Sequence, residues 1–126
     1  MPGYQSGQAT LLRTNTQKFL LNSETLGVGF STAAVQLDRI SHSFYPWGVS
    51  VEVFFPSAPG TFELDVQTSD TDVDSHYVLA ATTNKITAVN AGFVARLELT
   101  QFWAKFLRVN NVALGNAIPF SVLVTR

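Results

Sequence analysis

Three carboxylates at alternate positions, Asp70, Asp72 and Asp74 in the run Ser69-Asp70-Thr71-Asp72-Val73-Asp74, are the residues whose spacing first suggests chemistry. Alternate Asp side chains can converge on a hard cation such as calcium. A calcium loop of that kind wants Gly at its sixth position and a bidentate Glu at its twelfth. Counted from Asp70, those places hold Ser75 and Ala81. The calcium reading is therefore weak, and no metal is expected. The plainer expectation is a solvated turn whose Asp side chains bond nearby backbone N–H groups.

The histidines are His42 and His76, and with many Ser and Asp residues a hydrolase triad is formally available. Neither lies in a Gly-flanked nucleophile motif, and no Gly-x-Ser-x-Gly or His-Glu-x-x-His string occurs. No Gly-rich loop followed by Lys is present to cradle phosphate. Glu52, Glu63, Asp65 and Glu98 read as solvent-face strand residues, and a glycosidase would need two such carboxylates across a cleft. The chain is expected to be no enzyme and to carry no cofactor. The cluster Phe44-Tyr45-Pro46-Trp47-Gly48, with Phe102-Trp103, offers aromatic faces on which sugar rings stack. Aromatics beside a Pro-Gly turn also plug the end of a sandwich. A cis peptide would be tolerated at Tyr45-Pro46.

These residues must be positioned by strands. Val49, Val51, Val53 and Phe55 alternate with Ser50 and Glu52, the period of a half-buried strand. Phe62, Leu64 and Val66 alternate with Glu63, Asp65 and Gln67, and the Pro-Ser-Ala-Pro-Gly stretch joins the two runs into an expected antiparallel pair. Phe93, Ala95, Leu97 and Leu99 alternate with Arg96 and Glu98, and Ile118, Phe120, Val122 and Val124 repeat the pattern. Weaker strands are read at 16–21, 34–40, 77–82 and 105–110, with a short helical turn open near 100–104. About eight short strands with brief connections predict an all-β fold, an antiparallel β-sandwich of jelly-roll type. The alternation that turns the Val residues inward turns Phe54 outward; the same parity exposes Val94 and Leu123. One exposed apolar residue is ordinary, but a cluster of three would suggest a subunit contact.

The 126 residues suffice for one core. A hydrophobic share of 46% is ordinary, whereas 13% charged residues is about half the usual share, so Thr, Ser, Asn and Gln must clothe the surface. Eight basic against nine acidic residues, a net charge of -1, exclude a polybasic nucleic-acid binder. Zero cysteines exclude a disulfide framework, a thiol nucleophile and a Cys-ligated zinc. Weak charge also gives little repulsion between copies, which favours association. No run reaches the roughly 18 apolar residues of a membrane helix, and Met1-Pro2-Gly3-Tyr4 does not begin a signal peptide. A soluble chain that is not exported is expected. Residues 1–33, with Gly3, Gly7, Gly27 and Gly29 among polar residues, are read as a partly extended N-terminal arm; residues 34–126 form the sandwich. The arm either packs on its own domain or reaches a neighbour through Leu11, Leu12 and Phe19.

The stretch Phe62-Glu63-Leu64-Asp65-Val66-Gln67-Thr68-Ser69-Asp70-Thr71-Asp72-Val73-Asp74-Ser75-His76-Tyr77-Val78 resembles small β-sandwich virion proteins of tailed bacteriophages, as does Ala104-Lys105-Phe106-Leu107-Arg108-Val109. In such proteins a strand ending in Gln, an Asp-rich turn and an aromatic strand precede a strand of the Lys-Phe-x-Arg-Val kind. The resemblance covers 48–126 and maps to no catalytic residue. It implies a capsid decoration or cement protein, made in the host cytoplasm, that clamps major capsid protein subunits on the outer surface of the virion. The expected contact residues are Phe54, Val94, Leu123, Leu11, Leu12 and Phe19, in a homo-oligomer for which a trimer suits the site best, without direct nucleic-acid or membrane contact. A tail or baseplate component is the nearest alternative, and a carbohydrate-binding module used in adhesion is an alternative of another class.

Overall fold

The computed structural model describes residues 9–12, 17–37, 47–79, 81–102 and 104–126. They form nine strands: β1 (Thr10–Leu12), β2 (Gln17–Glu24), β3 (Val35–Leu37), β4 (Trp47–Phe54), β5 (Phe62–Ser69), β6 (Lys85–Ile86), β7 (Val94–Phe102), β8 (Phe106–Leu114) and β9 (Phe120–Thr125). The all-β sandwich read from the alternation is the fold, with one strand more than expected. One sheet runs β1-β3-β8-β5-β6 and the other β2-β9-β4-β7. Every pairing is antiparallel except the parallel contact of β1 with β3.

Between the sheets lies one core. Val51 and Val53 of β4, Leu64 and Val66 of β5, Leu107 and Val109 of β8, and Val122 and Val124 of β9 are fully buried. Each such side chain contributes roughly 1.5 to 3 kcal/mol through its removal from water. Phe55, Phe62 and Phe120 close one end, with ring centroids 5.1 Å apart for Phe55–Phe62 and 5.2 Å for Phe55–Phe120.

The expected β4–β5 hairpin does not form. β4 pairs with β7 and β9, and β5 pairs with β6 and β8, so the Pro-rich connection carries the chain from one sheet to the other. Among consecutive strands only β5 and β6 lie in the same sheet. The pairs β5–β6, β4–β7, β3–β8 and β2–β9 nest around the β5–β6 connection, as if one long hairpin had been rolled up. At its arched end the connections 55–61 and 115–119 brace each other: Gly115 N donates to Thr61 O at 2.8 Å, and Asn116 N to Pro59 O at 3.0 Å.

The described part of the segment read as an arm packs on its own domain. β1 extends the five-stranded sheet, β2 forms an edge of the other, and Leu12, Leu20, Leu21 and Leu26 join the core. Residues 29–32 then run beside β8, with Gly29 N donating to Asn111 O (2.7 Å) and Thr32 N to Val109 O (2.8 Å). The buried Asn111 side chain holds this stretch by donating to Leu26 O at 2.7 Å.

Three local expectations differ from the structure. The strand read at 77–82 is reduced to a bridge between Val78 and Thr68, preceded by a single 3₁₀ turn over Asp74–His76. Where a helical turn is open near 100–104, β7 instead continues to Phe102. Phe93, read as an inward strand residue, precedes β7 in a left-handed conformation (φ 58°) and is exposed, because Gly92 and Phe93 complete a turn from Asn90. Among the described residues no helix is long and apolar enough to cross a membrane.

Candidate interaction surface

The outward face of the four-stranded sheet carries the clearest surface feature. Cross-strand register places Phe19 of β2 opposite Leu123 of β9, Leu123 opposite Glu52 of β4, and Glu52 opposite Arg96 of β7. One row along, Ser121 stands opposite Phe54, and Phe54 opposite Val94. Side chains directly opposite on one face lie about 5 Å apart and diagonal ones about 7 to 8 Å, so Phe19, Leu123, Phe54 and Val94 form one contiguous apolar patch. Phe19 is 45% exposed, and Leu123, Phe54 and Val94 are half-buried. Past Phe54 the patch continues into a cleft of about 280 Å³ walled by Ser23, Pro56, Pro119 and Ser121. Ser23 takes a left-handed conformation (φ 50°), and its N–H donates to Ser121 Oγ at 2.9 Å.

Charge borders the patch on one side. Arg96 bonds Glu52 across the strands, and its other nitrogen is 3.8 Å from Glu98. Arg96 and Glu98 are both exposed, so this pairing lends direction more than stability.

The sequence reading selects six contact residues, and the structure brings four of them together. Leu11 is also exposed, at 45%, but it belongs to β1 in the other sheet. Leu12 is 3% exposed and packs in the core of its own chain, so it is not available to a neighbour. The alternation of an edge strand puts one of two consecutive leucines inside, and sequence alone did not say which.

The other sheet presents a different surface. The Asp-rich turn packs on part of its outward face and closes on Arg108 of β8. The guanidinium donates from Nε to Gln67 Oε1 (2.9 Å) and from Nη1 to Asp74 Oδ1 (2.6 Å), and lies 4.1 Å from the Tyr77 ring centre. Arg108 is 5% exposed. The Tyr77 hydroxyl donates to Asp72 Oδ1 at 2.8 Å, and burial, followed by the Asp72 carboxylate, pushes its pKa well above the ordinary value. Tyr77, Phe106 and Ala34 make a small second core beneath the turn. Asp72 and Asp74 thus serve Tyr77 and Arg108, and Asp70 is exposed. Among the described residues no three His, Asp or Glu side chains stand close enough to hold a metal.

Further along this face, Lys85 of β6 bridges two carboxylates of β5, with Nζ 2.8 Å from Glu63 Oε2 and 3.2 Å from Asp65 Oδ1. The Lys85 bond holds the Glu63 carboxyl below its ordinary pKa, whereas burial raises that of Asp65. The bond to Glu63 raises Lys85 in turn. Asp65, expected on the solvent face, is 9% exposed, because β6 lies alongside it.

His76 ends the 3₁₀ turn, exposed, with Nδ1 2.5 Å from Thr71 Oγ1. His42, the Phe44-Tyr45-Pro46 segment and Trp103 lie outside the described residues. Arg108 and Lys85 went unremarked in the sequence. A signal for the first was present: a cation inside the apolar run Phe106-Leu107-Arg108-Val109, with Asp residues in the nearby turn, asks for a partner.

Comparison with protein families, curated proteins and solved structures finds no match to this chain.

Proposed function

We propose that this chain is a non-enzymatic virion structural protein, a capsid decoration or cement protein that clamps neighbouring major capsid subunits through the outward face of its four-stranded sheet. The observation that carries the proposal is the contiguous patch of Phe19, Leu123, Phe54 and Val94 on that face. A contiguous apolar patch rimmed by polar residues marks a contact surface on a soluble domain. The resemblance of 48–126 to phage virion β-sandwiches suggests the major capsid protein as the partner. The nested pairs β2–β9, β3–β8, β4–β7 and β5–β6 favour reading the sandwich as a jelly roll, an architecture used in viral capsids and in lectins.

The mechanism is passive. Many copies, each making a modest contact, raise the cost of separating capsid subunits, because symmetry multiplies them. The test is co-sedimentation with expanded, undecorated heads of the particle to which the chain belongs, together with its copy number by quantitative mass spectrometry. Binding, and hundreds of copies per particle, are expected. Failure to sediment with heads at any ionic strength overturns the proposal, and a handful of copies moves the protein to the tail or baseplate.

A further inference from the structure

The four sheet edges are not equivalent. β1 and β6 are three and two residues long, and β2 is broken by register shifts on both sides of Leu21. Short and bulged edges resist further pairing. β7 has nine residues and a regular register with β4 from Val49–Leu99 to Phe54–Val94. Among the described residues β4 is its only strand partner.

The free side of β7 can be read residue by residue. Phe93 O accepts from Phe55 N at 3.0 Å, so backbone groups of Phe93, Ala95, Leu97 and Leu99 point toward β4. Those of Val94, Arg96, Glu98 and Thr100 point away. Val94 O is taken by Asn90 N at 2.9 Å, which leaves Arg96, Glu98 and Thr100 along the open edge. Outward side chains Arg96 and Glu98 are two positions apart and carry opposite charge. Leu97, between them, faces the core and is nevertheless half-buried, because no strand lies beside it.

We propose that β7 pairs antiparallel with β7 of a second copy of this chain about a two-fold axis at Leu97, joining two four-stranded sheets into one. This register sets Arg96 of each copy opposite Glu98 of the other, as hydrogen-bonded backbone pairs with opposite charges on the same face. It also sets Leu97 against Leu97, covering the side chain that the edge leaves open. Shifting either strand by two residues places Arg96 opposite Arg96 or Glu98 opposite Glu98, which like charges disfavour. The charges therefore favour this register over its two neighbours, and a second copy of the chain supplies the complementary pair. The contact is isologous, hence a closed dimer, whereas the head site suggested a trimer.

The test measures mass in solution by light scattering on the intact chain. Wild-type protein is expected to run as a concentration-dependent dimer. Arg96→Glu places carboxylates at both facing positions and Glu98→Arg places guanidinium groups there, so each variant alone is expected to dimerise about tenfold more weakly. The two mixed together restore complementary pairs and form a heterodimer of wild-type strength. Glu98→Pro removes an edge-facing N–H and the Glu98 carboxylate but no bond to β4, so it is expected to stay folded by circular dichroism and to be monomeric. A monomeric or trimeric wild type, or variants that self-associate as strongly as wild type, overturns the inference; so does a wild-type dimer without heterodimer rescue. Head binding reads the sheet face and this mass reads the edge, so the two proposals fail separately.

Discussion

At the scale of single residues, Tyr77 and Arg108 hold the Asp-rich turn against the five-stranded sheet. The Asp-rich run drew attention as a cation loop, yet its carboxylates serve Arg108 and Tyr77 of the same chain. The shortfall has a physical origin: spacing along a turn reports which carboxylates are near one another, not which buried cation the turn folds onto. Tyr77 gives the sharpest consequence. Its phenol has a folded pKa raised by burial and by its bond to Asp72, so its contribution to stability is fully present below the unfolded value near 10. It is lost as pH rises further, because the unfolded chain releases the proton first. Tyr77→Phe is expected to cost about 1 kcal/mol at neutral pH through the lost hydrogen bond. The variant also lacks this alkaline decline, so its deficit shrinks as the pH approaches about 11. Urea unfolding of both proteins at the two pH values checks this, and a deficit that grows with pH would contradict the assigned role.

At the scale of elements, the connections decide the fold and carry their own prediction. Gly60 takes φ 71°, and a Cβ on Gly115 would meet Thr61 O at 3.1 Å and Thr61 N at 3.2 Å, backbone atoms held by the bond from Gly115 N. Gly60→Ala is expected to destabilise by about 1 kcal/mol through backbone strain, and Gly115→Ala by roughly 1 to 2 kcal/mol through crowding. Denaturant unfolding measures both; a neutral Gly115→Ala would show that the two arches do not brace each other. Strands were legible because period-two alternation is set by burial on one face: Val49, Val51 and Val53, then Phe62, Leu64 and Val66, turned inward as read. Their partners were not. A Pro-rich link of this length serves a hairpin or an arch, and the choice lies in contacts made with residues 115–119, far along the chain. The outward patch was legible for the same reason as the strands, since Phe54, Val94 and Leu123 follow from parity. Phe19 joined it only through the pairing of β2 with β9.

At the scale of the whole molecule, the two outer faces divide the work. On one, the Asp-rich turn neutralises the buried Arg108 guanidinium with Asp74, so that cation is already partnered from within. The other keeps an apolar patch at the surface, where a half-exposed side chain returns little to folding and is open to a neighbour. Folding and binding should therefore separate under mutation. Phe19→Lys and Leu123→Lys together are expected to leave the unfolding free energy within about 1 kcal/mol per site, because neither residue is in the core. The same double variant is expected to lose co-sedimentation with undecorated heads, since two ammonium groups placed in an apolar contact must be desolvated without partners. A conservative control, Leu123→Met, keeps an apolar side chain of similar volume and should retain binding. Equal sedimentation of wild type and the double variant would move the contact off this face, and a double variant that is unfolded by circular dichroism would show the face to be part of the core.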